Sequence, residues 1–122
     1  IKIYCDKSIQ LNADEQLLRE AFLNLLDNAL KYGDSEKEIS ITVNKTDKLI
    51  IQFHNFGEPI PSKYKERIFH RFYRIDKSRS RRQGGTGLGL AIVKHIIFVH
   101  GGEIYVHSDA LNGTNFIIEL PV

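Results

Sequence analysis

The chain has 122 residues, enough for one domain that buries roughly two thirds of its unfolded surface. Its 17 basic residues are nearly matched by 15 acidic ones, and a net charge of only +2 argues against a general nucleic-acid binder, which carries a larger surplus. The single cysteine, Cys5, excludes an internal disulfide and fits a reducing compartment, and no apolar run approaches the ~18 residues of a membrane span.

Residues 1–5 read as a short strand. From 14 to 32, Leu18, Ala21, Phe22, Leu25, Leu26 and Ala29 recur at helical spacing, and Gly33 is a natural helix stop. Ile39, Ile41 and Val43 alternate with Ser40, Thr42 and Asn44, which is strand spacing; 45–48 make a polar turn into a partner strand at 49–54. The turn-rich stretch 55–62 leads to a short helix near 62–70. Residues 73–86 show no periodicity and read as a mobile loop. A second long helix is expected over 88–100, closed by Gly101 and Gly102, and two last strands, 103–108 and 114–120, bracket the turn Asp109-Ala110-Leu111-Asn112-Gly113. The order β-α-β-β-α-α-β-β predicts a single domain over 1–122, a two-layer α/β sandwich with its helices on one face of the sheet. Methionine is absent everywhere, position 1 included, which implies a segment of a longer polypeptide.

Three polar residues of the first helix stand out. Asn24, Asn28 and Lys31 fall at i, i+4 and i+7 and share one face, roughly 110° from the centre of the apolar stripe. Asparagine costs about half a kcal/mol relative to alanine inside a helix, so two of them one turn apart need a reason. They are either a polar margin or amide ligands for a hard cation such as Mg²⁺ already held by polyphosphate. In the second case Lys31 contacts phosphate and Tyr32 is within reach of the same groups. The run Gly84-Gly85-Thr86-Gly87-Leu88-Gly89-Leu90 reads as a hinge or as backbone opened for phosphate. No Gly-Lys-Ser/Thr follows, so it is not a Walker loop, and it does not open a Rossmann unit after a strand.

Taken together, these segments resemble the ATP-binding domain of sensor histidine kinases. Residues 24–33, "NLLDNALKYG", resemble the N box of that family. Residues 55–61, "NFGEPIP", are similar to its first glycine box, 68–74, "IFHRFYR", to its F box, 84–92, "GGTGLGLAI", to its second glycine box, and 113–121, "GTNFIIELP", to its last. Five blocks in the family's order cover nearly the whole chain. The resemblance implies the Bergerat-type sandwich, with a mixed, mostly antiparallel sheet, and a function in transferring the γ-phosphoryl group of Mg-ATP to a histidine.

It also implies roles for individual residues. Asn28 would complete Mg²⁺ coordination, with Asn24 beside it nearer the phosphates. Arg74 and Lys31 would neutralise the triphosphate, and Tyr73 would cover the base or ribose. Gly85, Thr86, Gly87, Leu88, Gly89 and Leu90 would cradle phosphate, with 73–86 as a lid; Asn55, Gly57, Ile60 and Thr114 would complete the nucleotide site. Phe69 and Phe72 read as anchors tying the lid to the core. In related hydrolytic ATPases a glutamate stands where Asn24 is, and an amide cannot serve as a general base, which favours transfer over hydrolysis.

The resemblance has departures. Asn55 replaces an aspartate that grips the adenine amino group, losing charge assistance, and Pro59 removes an N–H and a glycine from the same turn. An amide can flip to accommodate the carbonyl of guanine, so a weaker preference for ATP over GTP is expected. His54, His70, His95, His100 and His107 have neither zinc spacing nor the setting of the family's phosphoacceptor. The receiving histidine is therefore expected on a dimerisation domain of the same protein, outside this chain, with a response regulator receiver domain downstream. Arg79, Arg81 and Arg82 read individually as a solvated basic loop with no stacking platform of aromatics beside them, and attraction of ATP explains the cluster of Arg71, Arg74, Lys77, Arg79, Arg81 and Arg82 better than nucleic acid does. The expected setting is a monomeric cytoplasmic domain of a homodimeric, membrane-anchored parent. Rival readings are a nucleotide-sensing module without catalysis and a serine kinase of the anti-sigma type.

Overall fold

A computed structural model describes residues 1–6, 8–34, 36–70 and 89–122. In chain order they form β1 (Lys2–Cys5), α1 (Glu15–Tyr32), β2 (Ser40–Lys45), β3 (Lys48–Asn55), two 3₁₀ turns (Ser62–Tyr64 and Arg67–Phe69), α2 (Gly89–Val99), β4 (Glu103–Asp109) and β5 (Gly113–Pro121). The five strands make one sheet in the order β1-β2-β3-β5-β4. β1 and β2 are parallel, as a helical crossover between them requires, and the remaining pairs are antiparallel.

Alternation along the central strands decides which face is covered. Leu49, Ile51 and Phe53 of β3 and Phe116, Ile118 and Leu120 of β5 are buried on one face. Against them pack Leu18, Ala21 and Leu25 of α1 and Val93, Ile96 and Ile97 of α2, in one continuous core. Both helices therefore lie on the same side, as a two-layer sandwich demands. Each large aliphatic side chain so buried contributes about 1.5–3 kcal/mol.

Local chemistry sets the boundaries. Asp14 caps α1 by accepting from the backbone N–H of Leu17 at 3.1 Å. His100, just past α2, donates through Nδ1 to the Ile96 carbonyl and accepts through Nε2 from the Asp14 N–H at 3.1 Å, so one imidazole ties the end of α2 to the start of α1. The Asp109 carboxylate accepts from the N–H groups of Leu111 and Asn112 and holds the β4–β5 turn. These bonds, Asn112's backbone N–H first, keep its carboxyl below the usual value of 3.8.

Two differences from expectation bear on the site. The segment 62–70 is a pair of 3₁₀ turns, because a stretch this short behind Pro59 and Pro61 cannot repay helix nucleation and anchors itself through buried Ile68 and Phe69 instead. Asn55 ends β3 and does not open the following loop. The expected lid, 73–86, lies outside the described residues.

Candidate functional site

The burial of Leu18, Ala21, Leu25 and Ala29 fixes the rotation of α1 and leaves Asn24, Asn28, Lys31 and Tyr32 half-buried beside the core stripe. Asn24 Nδ2 donates to the Glu20 carbonyl at 2.9 Å, which settles the orientation of its amide. Its Oδ1 is left facing α2, where a Cβ added to Gly89 would stand only 3.1 Å away. The second glycine block and the first asparagine of the N-box stretch are thus in contact. Lys31 forms an i,i+4 ion pair with Asp27 at 3.0 Å, with the lysine side chain 30% exposed.

At its other end α1 is stitched to the loop after β3. Gly33 donates to the Ala29 carbonyl and forms a bridge with Gly57. The backbone of Gly33 is extended, with φ −80°, so its requirement for glycine is one of space. A Cβ at Gly33 would strike the Ala29 carbonyl and stand 3.0 Å from Asn55 Nδ2; one at Gly57 would stand 2.5 Å from the Tyr32 carbonyl. These contacts bring the Asn55 amide against the end of the helix that carries Asn28, Lys31 and Tyr32.

Asn55 and Thr114 are the buried polar residues among those described, 6% and 5% exposed, and they are direct partners in the β3–β5 register. Behind them stands Ser108, whose Oγ accepts the Ile60 N–H at 2.8 Å and lies 2.7 Å from Thr114 Oγ1. Ser108 escaped the sequence reading. Its signal was a hydroxyl in the inward phase of β4, after Ile104 and Val106. Ile60 and Leu90 pack against the core.

The structure thus gathers Asn55, Gly57, Ile60 and Thr114 at one end of the polar row of α1 and Asn24 with Gly89 at the other. Tyr73, Arg74, Gly85, Thr86, Gly87 and Leu88 lie outside the described residues. Two open cavities flank the row without coinciding with it. One of about 450 Å³ shares only Tyr32 and Gly57 with the nominated residues, and one of about 430 Å³ runs along α1 past Asn24. Among the described residues no cluster of three or more His, Cys, Asp or Glu could hold a metal ion. The amide oxygens of the polar row, with ligand oxygens, would make a donor set that suits magnesium on a polyphosphate. No described helix is long and apolar enough to cross a membrane.

The chain is similar to known proteins over nearly its full length. It is 44% identical over 113 residues to the sensor histidine kinase CusS of Escherichia coli (strain K12), covering 92% of this chain and 23% of CusS. Among solved structures, the catalytic domain of histidine kinase ThkA superposes with a TM-score of 0.82 at 32% identity, over 98% of this chain and 76% of that one. Full-length ShkA, in complex with AMPPNP, superposes with a TM-score of 0.77 at 29% identity, over 89% of this chain and 22% of that one. The chain spans about a quarter of the length of the curated relatives it matches. Residues 13–122 match the family model for histidine kinase-, DNA gyrase B- and HSP90-like ATPases. The chain belongs to that ATPase family, and its fold is that of a histidine kinase catalytic domain.

Proposed function

We propose that this chain is the ATP-binding catalytic domain of a two-component sensor histidine kinase. It would deliver the γ-phosphoryl group of Mg-ATP to a histidine on a dimerisation domain of the same protein, for passage to a response regulator. The observation that carries this reading is the run of polar groups from the Asn24–Gly89 contact to the Asn55–Thr114 pair. The nine rises from Asn24 to the cap residue Gly33 span about 14 Å, room for a polyphosphate at one end and a base at the other. ShkA, similar in fold, is described with AMPPNP, a ligand of this class.

Each residue has a definite task in this reading. Asn28 offers a neutral oxygen to magnesium, which when bound supplies charge neutralisation at the phosphates. Lys31 exchanges Asp27 for phosphate. Asn24, its NH₂ engaged by Glu20, presents only an amide oxygen and cannot take a proton from water, so the bound nucleotide is preserved for another nucleophile. Thr114, Asn55, Ile60 and Gly57 shape the base end. Tyr73, Arg74, Gly85, Thr86, Gly87, Leu88 and Leu90 are assigned to ribose and phosphate by resemblance alone. The parent protein is proposed to be a membrane-anchored sensor with this domain in the cytoplasm, consistent with the sensor kinases it resembles.

The test is transfer of radiolabelled γ-phosphate to a supplied histidine-bearing helical domain. An acid-labile, alkali-stable product on histidine is expected. An acid-stable phosphoserine would make the chain a serine kinase, and nucleotide binding without any transfer would make it a sensing module.

A further inference from the structure

Asn55 and Thr114 end two rows that are otherwise apolar core: Leu49, Ile51 and Phe53 on β3, and Leu120, Ile118 and Phe116 on β5. The change from apolar to polar comes beside the open cleft lined by Phe56 and Gly113, the chain neighbours of Asn55 and Thr114. Buried polar groups persist where a partner meets them, protein or ligand. Asn55 is 6% exposed as a residue, and among the described residues no hydrogen bond holds its amide, whose polar atoms are not among the fully buried ones left without a partner.

Resting on the nucleotide site proposed above, we infer that this cross-strand pair, backed by Ser108, accepts purines irrespective of the group at ring position 6. The site then takes 6-oxo as well as 6-amino purine triphosphates. An adenine presents a donor at that position and a guanine an acceptor. The Asn55 amide carries both an acceptor oxygen and a donor NH₂ and can turn to present either. Thr114 has the same freedom through its neighbour. Ser108 Oγ accepts the Ile60 N–H, and the hydrogen between Ser108 and Thr114 can belong to either oxygen. When Ser108 donates, the Thr114 hydroxyl is free to donate into the cleft; when Thr114 donates to Ser108, its oxygen is left as an acceptor. A carboxylate at position 55 would accept only, setting lone pairs against the oxygen of a 6-oxo purine.

The experiment is displacement of a fluorescent ATP analogue from the 122-residue chain by non-hydrolysable ATP and GTP analogues with magnesium. The two analogues are expected to compete within about tenfold of each other. Asn55→Asp widens the ratio in favour of ATP by at least about tenfold, through charge assistance on one side and repulsion on the other. Ser108→Ala weakens both analogues several-fold and leaves the ratio in place. A wild-type preference for ATP above about a hundredfold overturns the inference without any variant, and so does a ratio that Asn55→Asp does not move. Exclusion of GTP with tight ATP binding overturns this inference alone; failure of both analogues to bind overturns the nucleotide site with it.

Discussion

Asn24 Oδ1 faces Gly89 so closely that a Cβ on the glycine would stand 3.1 Å from it, while the Asn24 NH₂ is tied to the Glu20 carbonyl at 2.9 Å. With its NH₂ held, the amide meets an added Cβ unless it shifts by a few tenths of an ångström. Gly89→Ala therefore pits a gain in helix propensity of up to ~1 kcal/mol against crowding at the phosphate end. The expected result is a thermal midpoint within about 3 °C of wild type and an affinity for Mg-ATP analogues reduced by about tenfold. Calorimetry of both quantities on one variant checks the balance.

Gly33 and Gly57 are needed for space where α1 meets the loop after β3. A Cβ at Gly57 would lie 2.5 Å from the Tyr32 carbonyl, and neither backbone atom can rotate away. Gly57→Ala is expected to destabilise the domain by roughly 2 kcal/mol, a fall in thermal midpoint of about 8 °C. A melting curve indistinguishable from wild type would contradict the close approach.

Lys31 and Asp27 form an i,i+4 pair whose partners are partly exposed, so the pair itself contributes little to stability, about 0.5 kcal/mol or less. Asp27→Ala should leave the denaturation midpoint almost unmoved. Lys31→Ala should weaken an ATP analogue by about tenfold and leave adenosine unchanged, since the lysine is assigned to phosphate. Equal losses for both ligands would place Lys31 elsewhere.

Much of this arrangement was legible in the chain. Period-two rows in β3 and β5 and the 3.6-residue recurrence in α1 identify the core, because each depends only on local spacing. The margin carrying Asn24, Asn28 and Lys31 follows from the same helix phase. What spacing cannot reveal is contact across the chain. Ser108 matters because Ile60 and Thr114, far apart in sequence, both reach it. Gly33 reads as a helix stop, yet its requirement comes from Asn55 Nδ2 and the Ala29 carbonyl. The Asp27–Lys31 pair was within reach of i,i+4 spacing and is a local competitor for the lysine.

Acid should loosen the β4–β5 turn. The Asp109 carboxyl sits below its ordinary value of 3.8, chiefly because the Asn112 backbone N–H donates to it. A depressed folded pKa contributes stability above the unfolded value, and that contribution is lost as pH falls through the folded one. Wild type and Asp109→Asn should differ in urea midpoint at about pH 7, and the difference should shrink toward zero below about pH 3. A gap that is independent of pH would contradict the charge's role.

The most direct test of the whole account is isothermal calorimetry of a non-hydrolysable ATP analogue with and without magnesium, on wild type and Asn28→Ala. Asn28 is half-buried on the polar row of α1, one turn beyond Asn24. Magnesium-dependent binding that falls at least about tenfold in Asn28→Ala is predicted. Binding that ignores both the metal and the substitution would contradict it.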